Sequence, residues 1–376
     1  MSIPLSSLVS ALEALAPLNF AEQWDNVGLL IDPRAAGAEL EVERALLTID
    51  ATPEVLREAK EGHVQCLIAY HPPLFQARKR LSARADPAVF AALQGGFAVY
   101  SPHTALDSAP LGLNDWLVEG LGAGSVRALS AHLGHDPGAE LKLVVFVPKA
   151  NADSLREALA AAGAGTIGAY TQCSFNIEGE GTFFGDESTS PAVGSAECLE
   201  RVPETRLEMV CPKRALPALV SAITRVHPYE EPAWEVYPLG PKPHPRAGSG
   251  RQLELDQPVT LSEAVLRVKN HLGLTQVRVA MSEAHARGAR LSRIAACAGS
   301  GGSVFEGHQA ELYLTGEMRH HDVLARVSAG QSVILCEHTQ TERGYLPRLR
   351  ERLLEATRAA LDVRLATSDR EPLTIV

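Results

Sequence analysis

The chain is short of positive charge. Its 35 Lys and Arg face 45 Asp and Glu, for a formal net charge of −10 over 376 residues. A protein that tracks nucleic-acid phosphates displaces counterions with a basic face. No long basic run is present, so nucleic acid is not an expected partner. The six cysteines are scattered and none forms a Cys-x-x-Cys pair. A chain of this length has no need of a disulfide framework, and free thiols in a reducing compartment are the plain reading. No apolar run approaches the ~20 residues that span a bilayer. The opening residues, Met1-Ser2-Ile3-Pro4-Leu5, lack the basic start and apolar stretch of a signal peptide. A cytoplasmic protein with no membrane partner is expected.

What is present is ordinary globular material, 45% hydrophobic and 21% charged, enough for two or three domains. The spacing of apolar residues predicts helices over 6–15, 53–61, 87–94 and 111–121, alternating with strands over 26–31, 45–49, 66–70 and 97–100. Such alternation argues for an α/β layer with a largely parallel sheet. The middle reads differently. Strands over 141–147, 173–177, 181–184, 207–210 and 233–237, with helices over 152–162 and 217–226, suit a ferredoxin-like α+β domain. Residues 240–246 are Pro-rich and read as a stiff linker. Alternation then resumes, with helices over 261–272 and 346–361 and strands over 277–280, 294–298, 312–315 and 333–336. The simplest architecture is one α/β domain split into 1–137 and 246–376, with 138–245 inserted between its halves.

Several predicted strands end in polar clusters, where open α/β sheets gather their ligands. Four matter: Tyr70-His71, His103-Thr-Ala-Leu-Asp107, Glu317-Met-Arg-His320-His321 and His338-Thr-Gln-Thr-Glu342. Imidazoles and carboxylates without cysteine suit an open site for Zn, Mn, Fe or Co better than a closed structural zinc site. His338 and Glu342 are four apart and would share a face if their segment opens a helix. Each element also has a plainer reading. His71 alone would be structural, Asp107 would cap the following helix, and His320 and His321 would be solvated helix-surface residues. Gly299-Ser-Gly-Gly-Ser303 is either a turn or a run of amides for an anion, and without a lysine it is no phosphate loop.

Taken together, the motifs Asp25-Asn-Val-Gly-Leu-Leu, Tyr70-His-Pro-Pro-Leu-Phe, Ser101-Pro-His-Thr-Ala-Leu-Asp, Leu314-Thr-Gly-Glu-Met-Arg-His-His-Asp and His338-Thr-Gln-Thr-Glu-Arg-Gly resemble the GTP cyclohydrolase I type 2 homologues, also called Nif-three-like dinuclear-metal-centre proteins. The middle segment, with Tyr170-Thr-Gln-Cys-Ser-Phe and His227-Pro-Tyr-Glu-Glu-Pro-Ala-Trp, resembles the insert of the longer members. The resemblance implies a split α/β metal domain, a toroidal homohexamer and two divalent metals in a pocket facing an internal cavity. It places metal ligands on His71, Asp107, His338 and Glu342. Tyr70 stands where the family carries a first histidine, as in the eukaryotic-type branch. A phenol, with a pKa of ~10, is a poor ligand near neutral pH, so one or two ions per chain are expected, with His103 a possible substitute ligand.

If the site is catalytic, the expected chemistry is hydrolysis by a metal-activated water, with His103, Glu317 or His320 moving protons, on a nucleotide or phosphoester-type small molecule. Two other classes stand beside it. One is a hexamer that only binds and delivers metal. The other is a regulatory protein whose insert senses a ligand near His227-Pro-Tyr-Glu-Glu.

Overall fold

The structure, a computed structural model, describes residues 1–35, 38–134, 136 and 138–373. It divides into two units, Met1–His132 with His244–Val376 and, separately, Leu133–Pro243. The first boundary expected from sequence, at Pro137, lies outside the described residues.

The split unit holds two main sheets. The first orders its strands as Asp362–Leu365, Arg44–Thr48, Cys66–Ala69, Ala98–Ser101 and Gly28–Ile31. All neighbours are parallel except the last pair, which is antiparallel. Cys66–Ala69 and Ala98–Ser101 are buried along their whole length, as expected of parallel strands covered on both faces. One covering layer is the helix pair Pro53–Glu61 and Pro87–Gly95, which packs Val55, Ala59 and Val89 against Leu46, Leu67 and Val99. The second sheet orders Arg278–Ala280, Ser332–Leu335, Leu312–Glu317, Arg290–Ser300, Lys242–Thr260 and Gly124–Gly134. Its three central strands are parallel.

One hydrophobic core joins the sequence halves. Leu8, Leu47 and Leu117 from the first half share it with Leu253, Ala264 and Ile334 from the second. Each fully buried Leu or Ile contributes about 1.5–3 kcal/mol, so neither half keeps its core without the other. Arg251, 1% exposed, adds a polar tie. It ion-pairs with Asp115 and donates to the carbonyls of Gly248 (2.7 Å), Gly250 (2.9 Å) and Ala109 (3.1 Å). Removing one partner of such a buried pair costs about 3–5 kcal/mol.

Leu133–Pro243 runs strand, helix, strand, strand, helix, strand. Its antiparallel sheet orders Trp234–Pro238, Leu141–Pro148, Leu199–Cys211 and Phe175–Phe184. Helices Ala152–Ala161 and Leu216–Val226 bury Leu155, Leu159, Leu219 and Ile223 against that sheet. This is a ferredoxin-like order.

Several local expectations change. The Pro-rich stretch does contain a unit boundary, between Pro243 and His244, but from Lys242 on it is extended strand, part of Lys242–Thr260. The fixed proline φ suits extended strand as well as linker, so composition could not separate the two. The two short strands near 173–184 are one strand, Phe175–Phe184. The first helix is Leu5–Leu15, one residue longer than expected, preceded by Pro4 and capped by no side chain. The C-terminal helix stops at Ala356 and a further strand, Asp362–Leu365, follows.

Phe20 packs edge-on against both His132 and His244, with ring centroids 5.0 and 5.3 Å apart. The points where the chain leaves and re-enters the split unit therefore lie side by side. Replacing 133–243 by a short Gly/Ser bridge should leave a soluble core that unfolds cooperatively. Insoluble protein from every bridge length tried would rule out an independently folding split unit.

Candidate metal centre

Strand ends build the site. Cys66–Ala69 delivers Tyr70 and His71, Ala98–Ser101 delivers His103 and Asp107, and Ser332–Leu335 delivers His338 and Glu342. The segment after Ser332–Leu335 is not α-helical. Two 3-10 turns, Thr339–Thr341 and Arg343–Tyr345, follow His338. The spacing of four still works, because His338 Nε2 lies 3.3 Å from Glu342 Oε1. The ligand atoms of His71, His338 and Glu342 all lie within 4.8 Å of one another.

Three imidazoles around the site follow one rule. His71 Nδ1 meets Asp50 Oδ1 at 2.8 Å, His103 Nδ1 meets Asp25 Oδ1 at 2.8 Å, and His338 Nδ1 meets Glu317 Oε1 at 2.8 Å. A carboxylate on Nδ1 keeps the hydrogen there, fixes the ring and leaves Nε2 as the coordinating atom. Asp25 is itself held by the Thr104 amide (3.1 Å) and hydroxyl (2.5 Å). Glu317 thus orients a ligand-type histidine. His320 is exposed at the start of helix His320–Ser328, ring to ring with His321, and is not among the residues lining the cleft.

Glu342 is 2% exposed, and its Oε2 has no hydrogen-bond partner although His71 Nε2 is 3.5 Å away. A buried orphan carboxylate oxygen is costly, and a divalent ion held by Glu342, His71 and His338 would satisfy it. The donor set, two imidazoles and a carboxylate, fits such an ion. Gly299, at φ +61°, makes the room: a Cβ there would lie 2.9 Å from both Glu342 Oε1 and His338 Nε2. Glu337, next to His338, is held at φ 65°, the left-handed region that non-glycine residues avoid.

Tyr70 is 2% exposed, and its hydroxyl donates to Asp107 Oδ1 at 2.5 Å. Burial, then the charge of Asp107, pushes the phenol well above its usual range, so it is a neutral donor. Burial also lifts the Asp107 carboxyl to about 6, against the lowering effects of His103 and the Tyr70 hydrogen bond. Tyr70 therefore fixes the neighbouring carboxylate. Asn114, fully buried, ties this corner to the second sheet: its Oδ1 accepts from Ala298 N at 2.9 Å and its Nδ2 donates to Asp107 O at 3.2 Å.

Asp25, Asp50, Asn114 and the spatial role of Gly299 had no assigned role in the sequence reading. Asp50 carried a usable signal, since it follows strand Arg44–Thr48 at a carboxyl end. Asp25 reaches the site because Gly28 pairs antiparallel with Ser101, which pattern alone does not reveal.

Two predictions follow from this geometry. Gly299→Ala should abolish tight metal binding while leaving the fold intact; titration calorimetry and circular dichroism check both, and unchanged affinity would refute the crowding argument. The second concerns pH. Burial disfavours a charged His71, but Asp50 and Glu342 outweigh it and raise its pKa to about 10. Glu342 raises His338 to about 9 despite burial. Folded-state values above the ordinary ~6.5 give stability that is full below 6.5 and drains as pH rises toward those values. Chelator-treated protein should therefore melt lower at pH 9 than at pH 7. A saturating divalent ion, which takes neutral imidazole, should reduce that drop. A flat or rising metal-free midpoint would contradict the pairing.

Comparison with known proteins agrees across the chain. A family model described as Duf34/NIF3 (NGG1p interacting factor 3) matches residues 3–372. The chain is 35% identical to NIF3-like protein 1 of Bos taurus over 377 residues, covering 99% of this chain and 92% of that one. It is 33% identical to the GTP cyclohydrolase 1 type 2 homolog of Bacillus subtilis over 338 residues, covering 89% and 87%. Among solved structures, a Bacillus cereus protein related to NIF3 superposes with TM-score 0.69 at 28% identity, covering 100% of this chain and 99% of that one. With a mixed α/β fold, a His-His-Glu group suited to a metal ion and a match along nearly its whole length, the chain belongs to the Duf34/NIF3 family.

Proposed function

We propose that this protein is a divalent-metal-dependent hydrolase acting on a nucleotide or phosphoester-type small molecule. The observation that carries the reading is the buried, unpartnered Oε2 of Glu342 beside two imidazoles whose Nδ1 atoms are already taken by carboxylates. His71, His338 and Glu342 would hold Zn, Fe, Mn or Co, with Asp107 facing the same cleft as a further ligand. A bound ion would supply Lewis-acid chemistry, polarising a substrate oxygen and acidifying water. His103 is the proton carrier: Asp25 holds its Nδ1, and its ring borders the cleft with Nε2 left for exchange. Glu317 keeps His338 in its tautomer. The relatives named GTP cyclohydrolase 1 type 2 homolog support a hydrolytic class. The cleft, about 440 Å³, suits a ligand of nucleoside size. A homohexamer in the cytoplasm belongs to the same proposal.

A second reading, exchangeable metal binding without turnover, is favoured by the 39% exposure of the His338 side chain. Protein purified without chelator should carry up to two divalent ions per chain, and Asp107→Ala and Glu342→Ala should each remove most of them. Metal content at the wild-type level in both variants would sink the assignment. Loaded wild-type protein that turns over no nucleotide or phosphoester would leave the metal-handling reading.

A further inference from the structure

We propose that the cleft beside the metal centre recognises a planar, uncharged nitrogen heterocycle of nucleoside type, stacked on the indole of Trp24, and has no subsite for a polyphosphate chain. This rests on the metal-dependent reading and moves recognition from the phosphate of a nucleotide to its base and sugar.

Trp24 lines the cleft and is 61% exposed. Exposure alone says little of a single side chain; what matters is that this indole borders the cleft with a face uncovered. The indole is held in place all the same. Its neighbour in the chain is Asp25, which is anchored to His103 and Thr104. Phe75 leans on it at 5.9 Å and 58°, and His103 meets it at 6.1 Å and 75°. Among the described residues no ring lies parallel to it, so the offset-stacked position that aromatic pairs favour is not taken within the chain. A flat ligand there would sit beside His103, the proposed proton carrier.

Outside the metal position, the side-chain charge of the cleft disfavours a phosphate chain. Among the described residues the cleft is lined by Glu22, Asp107 and Glu342 and by no Lys or Arg. Sites for polyphosphates supply guanidinium, ammonium or free backbone amides. Two amides of the glycine-rich loop are already taken: Gly299 N donates to Thr341 Oγ1 at 2.8 Å and Gly301 N to Thr315 Oγ1 at 2.9 Å. The remaining wall offers neutral polar groups, among them Ser130, Ser300 and Ser303, which suit ring nitrogens and sugar hydroxyls.

The test uses metal-loaded, full-length protein titrated with guanosine, adenosine, GTP and inorganic tripolyphosphate, for wild type, Trp24→Ala and Trp24→Phe. Metal content and melting temperature serve as controls. At least one nucleoside should bind no more weakly than GTP, and tripolyphosphate, which any accessible divalent ion attracts, should bind more weakly than that nucleoside. Trp24→Ala should weaken nucleoside binding by about tenfold or more, with metal content unchanged, while Trp24→Phe should retain most of it. Affinity that follows the phosphate chain, or nucleoside binding untouched by Trp24→Ala, would overturn the inference. So would a metal-replete wild type that binds neither nucleoside, and the metal centre would then still stand. A wild type that takes up no metal would instead defeat the hydrolase reading.

Discussion

The split unit turns on one carboxylate. Glu342 is buried, belongs to the second sequence half, and lies within reach of an imidazole from each half: His71 and His338. Burial alone would raise its pKa, yet the two imidazoles hold it below the usual range. Burying a lone charge is expensive, so this arrangement needs both strand ends present and in register. Around it, Gly299 and Gly316 exist as glycines because backbone and ligand atoms come too close for a Cβ; at Gly316 one would lie 2.6 Å from Gly299 O. Asn114 and Arg251 repeat the theme with neutral and charged ties between the halves.

The polar shell explains how three strand ends make a centre that a metal can enter. Each of three imidazoles is oriented by a carboxylate, and the Tyr70 phenol orients Asp107. These partners place excess negative charge around the site, which suits a divalent ion and, in its absence, favours protons on His71 and His338. Metal and protons therefore compete for the same nitrogens.

Local chemistry made much of the fold legible. The helix starts expected at 53 and 261 are kept, and the structure caps them with Thr52 and with Thr260, the latter in a capping box with Glu263. Short, fully apolar runs such as Cys66–Ala69, bounded by turn residues, fit buried strands, and the structure keeps this one. Gly124–Gly134 escaped notice because its first four residues are exposed and its pattern carries no apolar face. His103–Ser108 was hidden because it is a short helix with no side-chain cap. The strand-end histidines were visible as candidates, but their orienting partners were not: Asp25 and His103 are brought together only by an antiparallel strand pairing. The plain reading of Asp107 as a cap fails for a local reason, since it sits inside its helix and its side chain serves Tyr70.

Splitting the unit in sequence has a consequence for synthesis. The ribosome releases His71 and Asp107 early, and Glu342 only after the whole of Leu133–Pro243 has emerged. At roughly 5–20 residues per second, the first half waits on the order of tens of seconds with Leu8, Leu47 and Leu117 lacking their partners. Leu133–Pro243, a contiguous unit with its own core, can fold in that interval and hold the growing chain's ends near one another. Metal capture is thereby a late event in the birth of each molecule, and a truncated chain has no complete ligand set with which to scavenge ions.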